Sequence, residues 1–530
     1  MEKITTDIYS FENLRKGGYV YVDKTDLLWR LAVDNEGRQF FISRPRRFGK
    51  SLMLSTLKCL FEGRRELFKG LKVEKKRWDW KKTYPVVMLN MADVVGENCS
   101  QLHENLVDLV DEQVETFALN GVRRVSAPGK YLGNFFKRLA AEKGQFVVLV
   151  DEYDVPLQGF LGDSAALTRV RKMMHDFYLA LKNNESNIRF LMLTGVTKLT
   201  KLSVFSGLNH LTDLTMDEAE YAGLLGYTPK EIAANFPKRL ESLAKKLKTD
   251  SKGALKRVLD WYDSYWFCPD SRVRVCNPIS IGKAFRCRKL DAYWSKTALA
   301  TLVMERISAA NKTPADFEGC TATKSELDVC DALDLPAKSL MYQSGYLTIK
   351  GLSKTEVDGI GNPKLVLGAP NHEVRGAIRD GWFDSIVKIP STEFDALVDV
   401  AKRQVAEGNL RGLVGESLYR IYAKIPPEWK IRSEADVKRH FRLFMEMLGA
   451  KVAAEDGSAF CYADAIIETK KFVWVFEFKF NKSTKAAVRQ IRVKGYAAQY
   501  KGDKRPVTLV GVNFRTAKRN IDEPLFSAFW

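Results

Sequence analysis

A phosphate-binding pattern lies near the N-terminus, between Phe40 and Ser51. An apolar strand, a tight turn and Gly49-Lys50-Ser51 at the start of a helix form a combination that binds nucleotide phosphates. Gly49 lets backbone N–H groups approach the phosphates, Lys50 reaches the β and γ groups, and Ser51 offers its hydroxyl to Mg²⁺. The dipole of the following helix attracts the same anion. These residues predict a nucleotide-binding site, and a surface turn that contains the tripeptide by chance is the alternative.

The loop before this tripeptide is unusually basic. We include Arg46, Arg47 and Phe48 in the candidate nucleotide site. Arg44 stands where the full pattern has a glycine. Arg44, Arg46 and Arg47 lie where one of them can stabilise γ-phosphate charge, within one chain or across a subunit boundary.

Two further apolar segments end in residues that suit the same site. The run from Gln145 to Val150 predicts a buried parallel strand whose end carries Asp151 and Glu152. Open α/β sheets bind ligands at that end of their strands. We expect Asp151 to hold Mg²⁺ and Glu152 to polarise the attacking water. A third strand ends in Thr194, whose hydroxyl can sense the γ-phosphate.

A second group of candidate residues lies on a C-terminal strand. Apolar residues alternate from Phe472 to Phe480, so Glu477 and Lys479 share one face. The preceding segment, with Asp464, reads as the partner strand of a hairpin. A two-residue loop would place Asp464 opposite Glu477, whereas a one-residue slip would make them diagonal.

Two carboxylates beside a lysine are the minimum for metal-dependent cleavage of a phosphodiester bond. We expect Asp464 and Glu477 to bind Mg²⁺ or Mn²⁺, and Lys479 to orient or activate the attacking water. A structural ion pair is the alternative. Between Thr469 and Arg519 the chain has fourteen Lys and Arg against two acids. This excess predicts a nucleic acid partner, with a solvated basic face as the alternative.

Composition limits the remaining possibilities. A chain of 530 residues with a net charge of +19 is too long for one core and favours polyanions. The longest apolar runs are strand-length, and the N-terminus lacks a secretion signal, so we expect no membrane association. Eight cysteines without a CxxC pair predict a reducing cytoplasm, and five scattered histidines give little support for zinc.

The order of segments predicts an α/β fold with four parts. We expect a P-loop NTPase parallel sheet over residues 1–215, a helical lid over 216–325 and a winged-helix-like region over 326–395. The winged-helix-like assignment depends on two short strands after a helix, near Gly345 and Leu365. Residues 396–530 then form a C-terminal α/β domain, and the family resemblance given below implies that this domain is like that of restriction endonucleases.

The chain resembles the bacterial AAA-ATPase-like proteins that carry a PD-(D/E)XK nuclease-superfamily domain at the C-terminus. Several segments along nearly the whole chain resemble family motifs, namely Tyr21–Thr25, Arg44–Ser51, Val150–Asp154, Thr194–Lys198, Phe205–Asn209, Tyr342–Leu347, Pro370–Val374, Phe476–Lys479 and Lys494–Tyr496. In this family the loop sequence with Arg44 is the usual one. The resemblance therefore accounts for the missing glycine.

The resemblance implies ATP binding, a nuclease-like fold and a role in nucleic-acid processing or anti-phage defence. It also implies that an acid from the preceding helix completes the metal site, and Glu434 is the candidate. The sequence around Cys461 departs from the family pattern, although Asp464 is kept. We expect an ATP-dependent or ATP-gated nuclease that acts on DNA rather than RNA, with a homo-oligomer left open. The alternative is an ATP-binding switch that binds nucleic acid or a partner without cleaving it.

Overall fold

The computed structural model describes residues 1–33, 37–198, 211–294, 298–310, 312, 314–328, 336–353, 363–386, 391–424, 431–448, 452–453 and 463–529. The motif at Phe205–Asn209 and the departure around Cys461 lie outside these ranges. The chain forms two compact units, one of Met1–Ser295 with Gly319–Arg375 and the other of Lys296–Glu318 with Gly376–Trp530. The finer domain boundaries given above remain predictions.

The strands, in chain order, are β1 (Gln39–Ser43), β2 (Val86–Asn90), β3 (Phe146–Asp151), β4 (Ile188–Gly195), β5 (Thr212–Asp213), β6 (Thr321–Ala322), β7 (Thr348–Leu352), β8 (Leu365–Gly368), β9 (Val452–Ala453), β10 (Ala465–Glu468), β11 (Val473–Phe480), β12 (Val507–Arg515), β13 (Asn520–Ile521) and β14 (Leu525–Ala528).

The α-helices are α1 (Phe11–Lys16), α2 (Thr25–Val33), α3 (Lys50–Phe61), α4 (Cys99–Thr116), α5 (Pro128–Lys143), α6 (Val155–Gln158), α7 (Ser164–Asn183), α8 (Pro229–Asn235), α9 (Pro237–Leu247), α10 (Ser251–Tyr262), α11 (Pro278–Cys287), α12 (Ala298–Ala309), α13 (Lys324–Asp328), α14 (Ala337–Ser344), α15 (His372–Ile386), α16 (Ser391–Glu407), α17 (Leu410–Gly412), α18 (Tyr419–Lys424), α19 (Glu434–Met447) and α20 (Thr484–Lys494). A π-helical segment, Leu413–Leu418, joins α17 to α18. Among the described residues, no helix is both long and apolar enough to cross a bilayer.

The first unit contains the predicted parallel sheet, in the order β2-β3-β4-β1-β5. Every residue of β1 and β3 is buried, as expected for strands with helices on both faces. Since β4 lies between β1 and β3, the ends of these three strands meet at the same edge of the sheet. The sheet thereby brings the three predicted nucleotide-binding segments together.

Two smaller substructures complete this unit. The helices after the sheet enclose a core that includes Phe236, Tyr262 and Phe285. The predicted pair of short strands is confirmed as β7 and β8, which are antiparallel. A third strand, β6, pairs with β8 and was not predicted from the sequence. Its two residues are too few to give a periodic pattern.

The second unit is built on a mixed sheet in the order β13-β12-β11-β10-β9, with β14 also paired to β12. The predicted alternation of β11 is confirmed: Trp474, Phe476 and Phe478 belong to a core shared with α19, whereas Val473 and Val475 belong to one shared with α20. Because β11 is buried on both faces, any charged side chain on it needs partners. Glu477 and Lys479 are such side chains.

Gly511 allows α20 to pack closely against β12. A Cβ atom at this position would lie 2.9 Å from a methyl carbon of Val488 and closer still to the carbonyl oxygen of Thr484. We therefore expect Gly511→Ala to lower the free energy of unfolding by about 1–3 kcal/mol, the usual cost of overpacking. Chemical denaturation of the full chain measures this change. Gly415→Ala is the control because a Cβ there meets no atom within 4 Å, and equal stability of the two variants would contradict the prediction.

Candidate nucleotide-binding and metal sites

The loop between β1 and α3 has the backbone shape of a phosphate-binding turn. Gly49 precedes α3 with a φ of 94°, in the left-handed region that favours glycine. Arg47 also has a positive φ, 69°. Helix α3 then begins at Lys50, so its first N–H groups and the hydroxyl of Ser51 lie at the start of the helix, where anions bind.

Residues outside the sheet hold this loop in place. The ring of Phe48 is buried and lies edge-on to Tyr265, with ring centroids 4.9 Å apart. The amide of Asn277 donates to the carbonyl oxygen of Arg46 at 3.3 Å, and the N–H of Gly226 donates to that of Phe48 at 3.2 Å. The side chain of Phe48 therefore anchors the loop and does not face a nucleotide. The backbone of the loop is the part that can approach one.

Arg44 is buried behind the end of β1. Its guanidinium group donates to the carbonyl oxygens of Ser43 and Thr215, at 2.9 and 3.0 Å, and lies over the ring of Phe267. Burial lowers the pKa of Arg44 to about 10. This position corrects the expectation that Arg44 can face a γ-phosphate, because its side chain is committed to the protein interior. Arg46 and Arg47 remain the candidates, since Arg46 is partly exposed and Arg47 is exposed.

Lys50 is oriented by the loop itself. Its ammonium group donates to the carbonyl oxygens of Arg44 and Pro45, at 2.9 and 3.2 Å. Burial lowers the pKa of Lys50, and the nearby charges of Asp151 and Glu152 oppose that shift. Lys50 thus lies buried in the loop and near the acids at the end of β3, as the sequence predicts.

The predicted acids meet Thr194 at the edge of the sheet. The hydroxyl of Thr194 donates to Asp151 at 2.5 Å, which joins the ends of β3 and β4. Burial raises the pKa of Glu152, and its φ of 52° places it in a region that non-glycine residues rarely adopt. Strained residues of this kind concentrate at functional sites.

Asp154 also joins the ends of β3 and β4, and the sequence analysis did not single it out. Its fully buried carboxylate accepts hydrogen bonds from the N–H and hydroxyl of Thr197, at 2.8 and 2.6 Å. It also accepts the N–H of Val196 at 3.2 Å and the amide of Gln158 at 2.9 Å. This carboxylate fixes the segment that follows Thr194.

We expect Asp154→Asn to destabilise the chain by about 2–4 kcal/mol, because an amide nitrogen replaces one acceptor and leaves buried donors unpaired. Urea denaturation followed by circular dichroism measures the change. Asp176→Asn is the control, since 59% of the Asp176 side chain is exposed. A loss no larger than that of the control would show that these hydrogen bonds contribute little.

Lys198 links the segment after β4 to two helices, α13 and α14. Its backbone N–H donates to Gln343 of α14 at 2.8 Å. Its ammonium group forms ion pairs with Asp213, at the end of β5, and with Asp328, at the end of α13. The strand that carries Thr194 is therefore linked directly to α13 and α14.

In the second unit, three elements bring acids together. Strands β10 and β11 pair so that Ala465 is opposite Phe476, and the same register places Asp464 beside Glu477. This is the arrangement that a two-residue hairpin loop predicts. Helix α19 supplies Glu434, the acid suggested by the family resemblance, in its first turn. Ser433 and Asp436 exchange hydrogen bonds across that turn and fix where the helix begins.

The three carboxylates form a compact group. One oxygen from each of Glu434, Asp464 and Glu477 lies within 4.8 Å of the others. Lys479 donates to Glu477 at 2.6 Å and to Glu434 at 3.3 Å. The backbone N–H of Phe478 donates to Asp464 at 2.8 Å, which fixes that carboxylate against β11.

The group has the properties of a site for a hard divalent cation. Carboxylate oxygens are the ligands that Mg²⁺ and Mn²⁺ prefer. Glu477 is 1% exposed, and its Oε2 atom has no hydrogen-bond partner among the described residues. Burial, with a smaller effect from Asp464, raises the pKa of Glu477 to about 7. A buried carboxylate with an unused oxygen is costly, and a bound cation relieves that cost.

A second lysine belongs to this site, and the sequence analysis missed it. Lys438 lies one turn after Glu434 on α19, forms an ion pair with Asp464 and is 3.7 Å from Glu434. Burial lowers the pKa of Lys438, but the hydrogen bond and charge of Asp464 outweigh it, so the net shift is upward. Lys438 follows Glu434 by four residues, so both lie on the same face of the helix, and this spacing was the signal in the sequence that could have indicated it.

Helix α20 presents basic side chains to solvent. Ser483 caps the helix by accepting the N–H of Ala486, and Ala487, Val488 and Ile491 face the sheet. Lys485, Arg489 and Lys494 are exposed. Arg492 differs, because it donates to Ser527 and to the carbonyl oxygen of Ala528.

Comparison with known proteins gives one family match over the candidate nucleotide site and another over the candidate metal site. A family described as "Predicted AAA-ATPase" matches residues 5–205, and the PD-(D/E)XK nuclease superfamily matches residues 432–524. The chain belongs to the AAA-ATPase-like proteins with a C-terminal PD-(D/E)XK nuclease-superfamily domain. Domains of these two kinds generally use a nucleotide and a divalent metal ion.

A relative of this AAA-ATPase-like protein matches it along its length. It is described as an uncharacterized protein in the vnfD 5' region of Azotobacter chroococcum mcd 1, and is 30% identical over 531 residues that cover 98% of each chain. This chain also matches solved structures. One is the Aeropyrum pernix ORC1 protein in complex with DNA, which is 10% identical with a TM-score of 0.21. The match covers 68% of this chain and 90% of that one. The Aeropyrum pernix ORC2 protein matches at 13% identity and a TM-score of 0.25 over 84% and 86%.

Proposed function

We propose that the chain is an ATP-dependent or ATP-gated, metal-dependent nuclease that acts on DNA rather than RNA. The observation that carries the proposal is the convergence of Glu434, Asp464 and Glu477 beside Lys479. The nuclease-superfamily match over the same residues supports it. The family resemblance supports a role in nucleic-acid processing or anti-phage defence.

In this proposal the three carboxylates hold Mg²⁺ or Mn²⁺. The bound cation supplies Lewis-acid stabilisation of charge at the phosphoryl group. Lys479 orients the attacking water, and its ammonium group balances charge that develops in the transition state. Lys485 and Arg489 on α20 bind the nucleic acid backbone without reading its sequence.

The nucleotide site has a separate set of proposed roles. Lys50 and the N–H groups of the loop bind the phosphates, and Ser51 and Asp151 hold the Mg²⁺ that accompanies ATP. Glu152 polarises the water, and Thr194 senses the γ-phosphate. Two hydrogen bonds support a gating role: Thr197 donates to Asp154, and the N–H of Lys198 donates to Gln343, so this end of the sheet is tied to α14.

The test is cleavage of double- and single-stranded DNA and of RNA by the full chain, with Mg²⁺ or Mn²⁺ and with or without ATP. We expect cleavage of DNA that requires the metal ion and changes with ATP. Asp464→Asn should abolish cleavage while leaving DNA binding in EDTA intact. Asp399→Asn is the matched control, since 74% of its side chain is exposed on α16.

Each outcome separates the alternatives. Cleavage that does not respond to ATP would remove the gating role and leave the nuclease. Binding of nucleic acid without cleavage of any substrate would favour the ATP-binding switch instead. Cleavage that persists in Asp464→Asn would place the active site elsewhere or reveal a contaminant.

A further inference from the structure

Lys438 lies beside the three carboxylates of the proposed metal site, and the proposed mechanism gives it no role. It extends from α19 to form an ion pair with the Oδ1 atom of Asp464. The same ammonium group lies 3.7 Å from Oε1 of Glu434. It therefore contacts two of the three residues that would hold a metal ion.

The carboxylate oxygens of the site differ in whether they have a hydrogen-bond or ion-pair partner. Asp464 has one oxygen bound to Lys438 and the other to the N–H of Phe478. Glu477 has one oxygen bound to Lys479, while its Oε2 atom has no partner. Each Asp464 oxygen thus already accepts one partner, and a cation that binds Oε2 of Glu477 together with Asp464 is repelled by the positive charge of Lys438. The N–H of Phe478 belongs to the strand and cannot move away, whereas Lys438 can.

The two lysines differ in freedom. The side chain of Lys479 is 5% exposed and also donates to the carbonyl oxygen of Phe478. The side chain of Lys438 is 31% exposed, so its ammonium group has a route to solvent or to a phosphate. A long, flexible, strongly hydrated side chain can make that movement at low cost.

We propose that Lys438 is a built-in competitor of the divalent cation, whose ammonium group holds Asp464 and must release it before that oxygen binds metal. This inference rests on the proposed metal site and adds to it a residue that sets metal affinity. The affinity of the wild-type chain for the divalent cation is then lower than it would be if the three carboxylates were present without Lys438. A nearby phosphate of the substrate would draw Lys438 away and strengthen metal binding.

The test is titration of the full chain with Mn²⁺ in the absence of nucleotide, followed by calorimetry and by electron paramagnetic resonance of free Mn²⁺. Binding that survives in Glu477→Gln is subtracted as binding elsewhere. We expect Lys438→Met to bind Mn²⁺ about tenfold more tightly than wild type, or more, since the substitution removes a positive charge that repels the cation at a distance of a few ångströms. Lys438→Gln is a second variant, which can still hydrogen-bond Asp464 if the methionine variant folds poorly.

Two controls separate charge from packing. Lys438→Arg keeps the positive charge and should bind Mn²⁺ as weakly as wild type. Lys402→Met removes an exposed lysine from α16 and should change nothing. Equal or weaker Mn²⁺ binding by Lys438→Met and Lys438→Gln than by wild type would overturn the competitor role but keep the metal site. If no variant shows binding that depends on Glu477, the proposed metal site itself fails.

Discussion

Glu477→Gln is expected to lower the rate of nucleic acid cleavage by about 10³-fold or more, because the several kcal/mol that a metal ion contributes are lost with its ligand. Glu477 is the most buried of the three acids and carries the oxygen without a partner. An amide of the same size keeps the packing of β11 while removing the charge. Initial rates on labelled DNA with Mn²⁺ measure the effect.

A matched control makes this result specific. Glu407→Gln makes the same chemical change at an exposed position on α16 and should cleave at the wild-type rate. A Mn²⁺-induced rise in melting temperature provides an independent measurement, because a ligand that binds the folded state stabilises it. Wild type should show this rise and Glu477→Gln should not. Retention of more than a tenth of the cleavage rate by Glu477→Gln would contradict the assigned role.

Lys50→Ala is expected to weaken ATP binding by about 100-fold, since two charge-assisted hydrogen bonds to phosphate contribute about 3 kcal/mol. Lys50 is placed for this role by the loop carbonyls of Arg44 and Pro45, which hold its ammonium group at the start of α3. Titration with a fluorescent ATP analogue in the presence of Mg²⁺ gives the dissociation constant.

Helix α3 contains its own control. Lys58→Ala removes the same kind of side chain two turns later, where 44% of it is exposed and it lies 3.9 Å from Glu62. This variant should bind ATP like wild type. Comparing the cleavage rates of the two variants with ATP present then tests gating, because only Lys50→Ala should lose any response to the nucleotide. ATP affinity of Lys50→Ala within about threefold of wild type would rule out the predicted phosphate contact.

The sequence predicted the parts of both sites that depend on local patterns. Alternation along β11 and a short hairpin loop were enough to bring Asp464 close to Glu477, but they left two registers open, and the structure has the one set by a two-residue loop. The apolar strands ending in Asp151 and Thr194 were enough to bring these residues to one edge of the sheet. Local periodicity and chain geometry carry this information directly.

Other residues escaped prediction because their partners are distant in sequence. Asp154 reads as an ordinary acid after a strand, and its burial depends on the N–H groups of Val196 and Thr197. From the sequence alone, Lys438 is a solvent-facing lysine on an amphipathic helix, and only the packing of α19 against β11 brings it to Asp464. Arg44 reads as a phosphate ligand until Thr215 and Phe267 are seen to hold it. Tertiary packing decides each of these cases.

The two sites also differ in how far apart their residues lie along the chain. Asp464 and Glu477 are joined by a hairpin, a structure that closes within microseconds and depends on few other contacts. Lys50 begins the helix after β1, whereas Asp151 and Thr194 lie at the ends of β3 and β4. Long crossovers separate these segments along the chain, and contacts of that kind form slowly. During synthesis or refolding, the nucleotide site is thus complete only when β1, β3 and β4 have paired. Capture of ATP would then mark a chain whose first unit has finished folding.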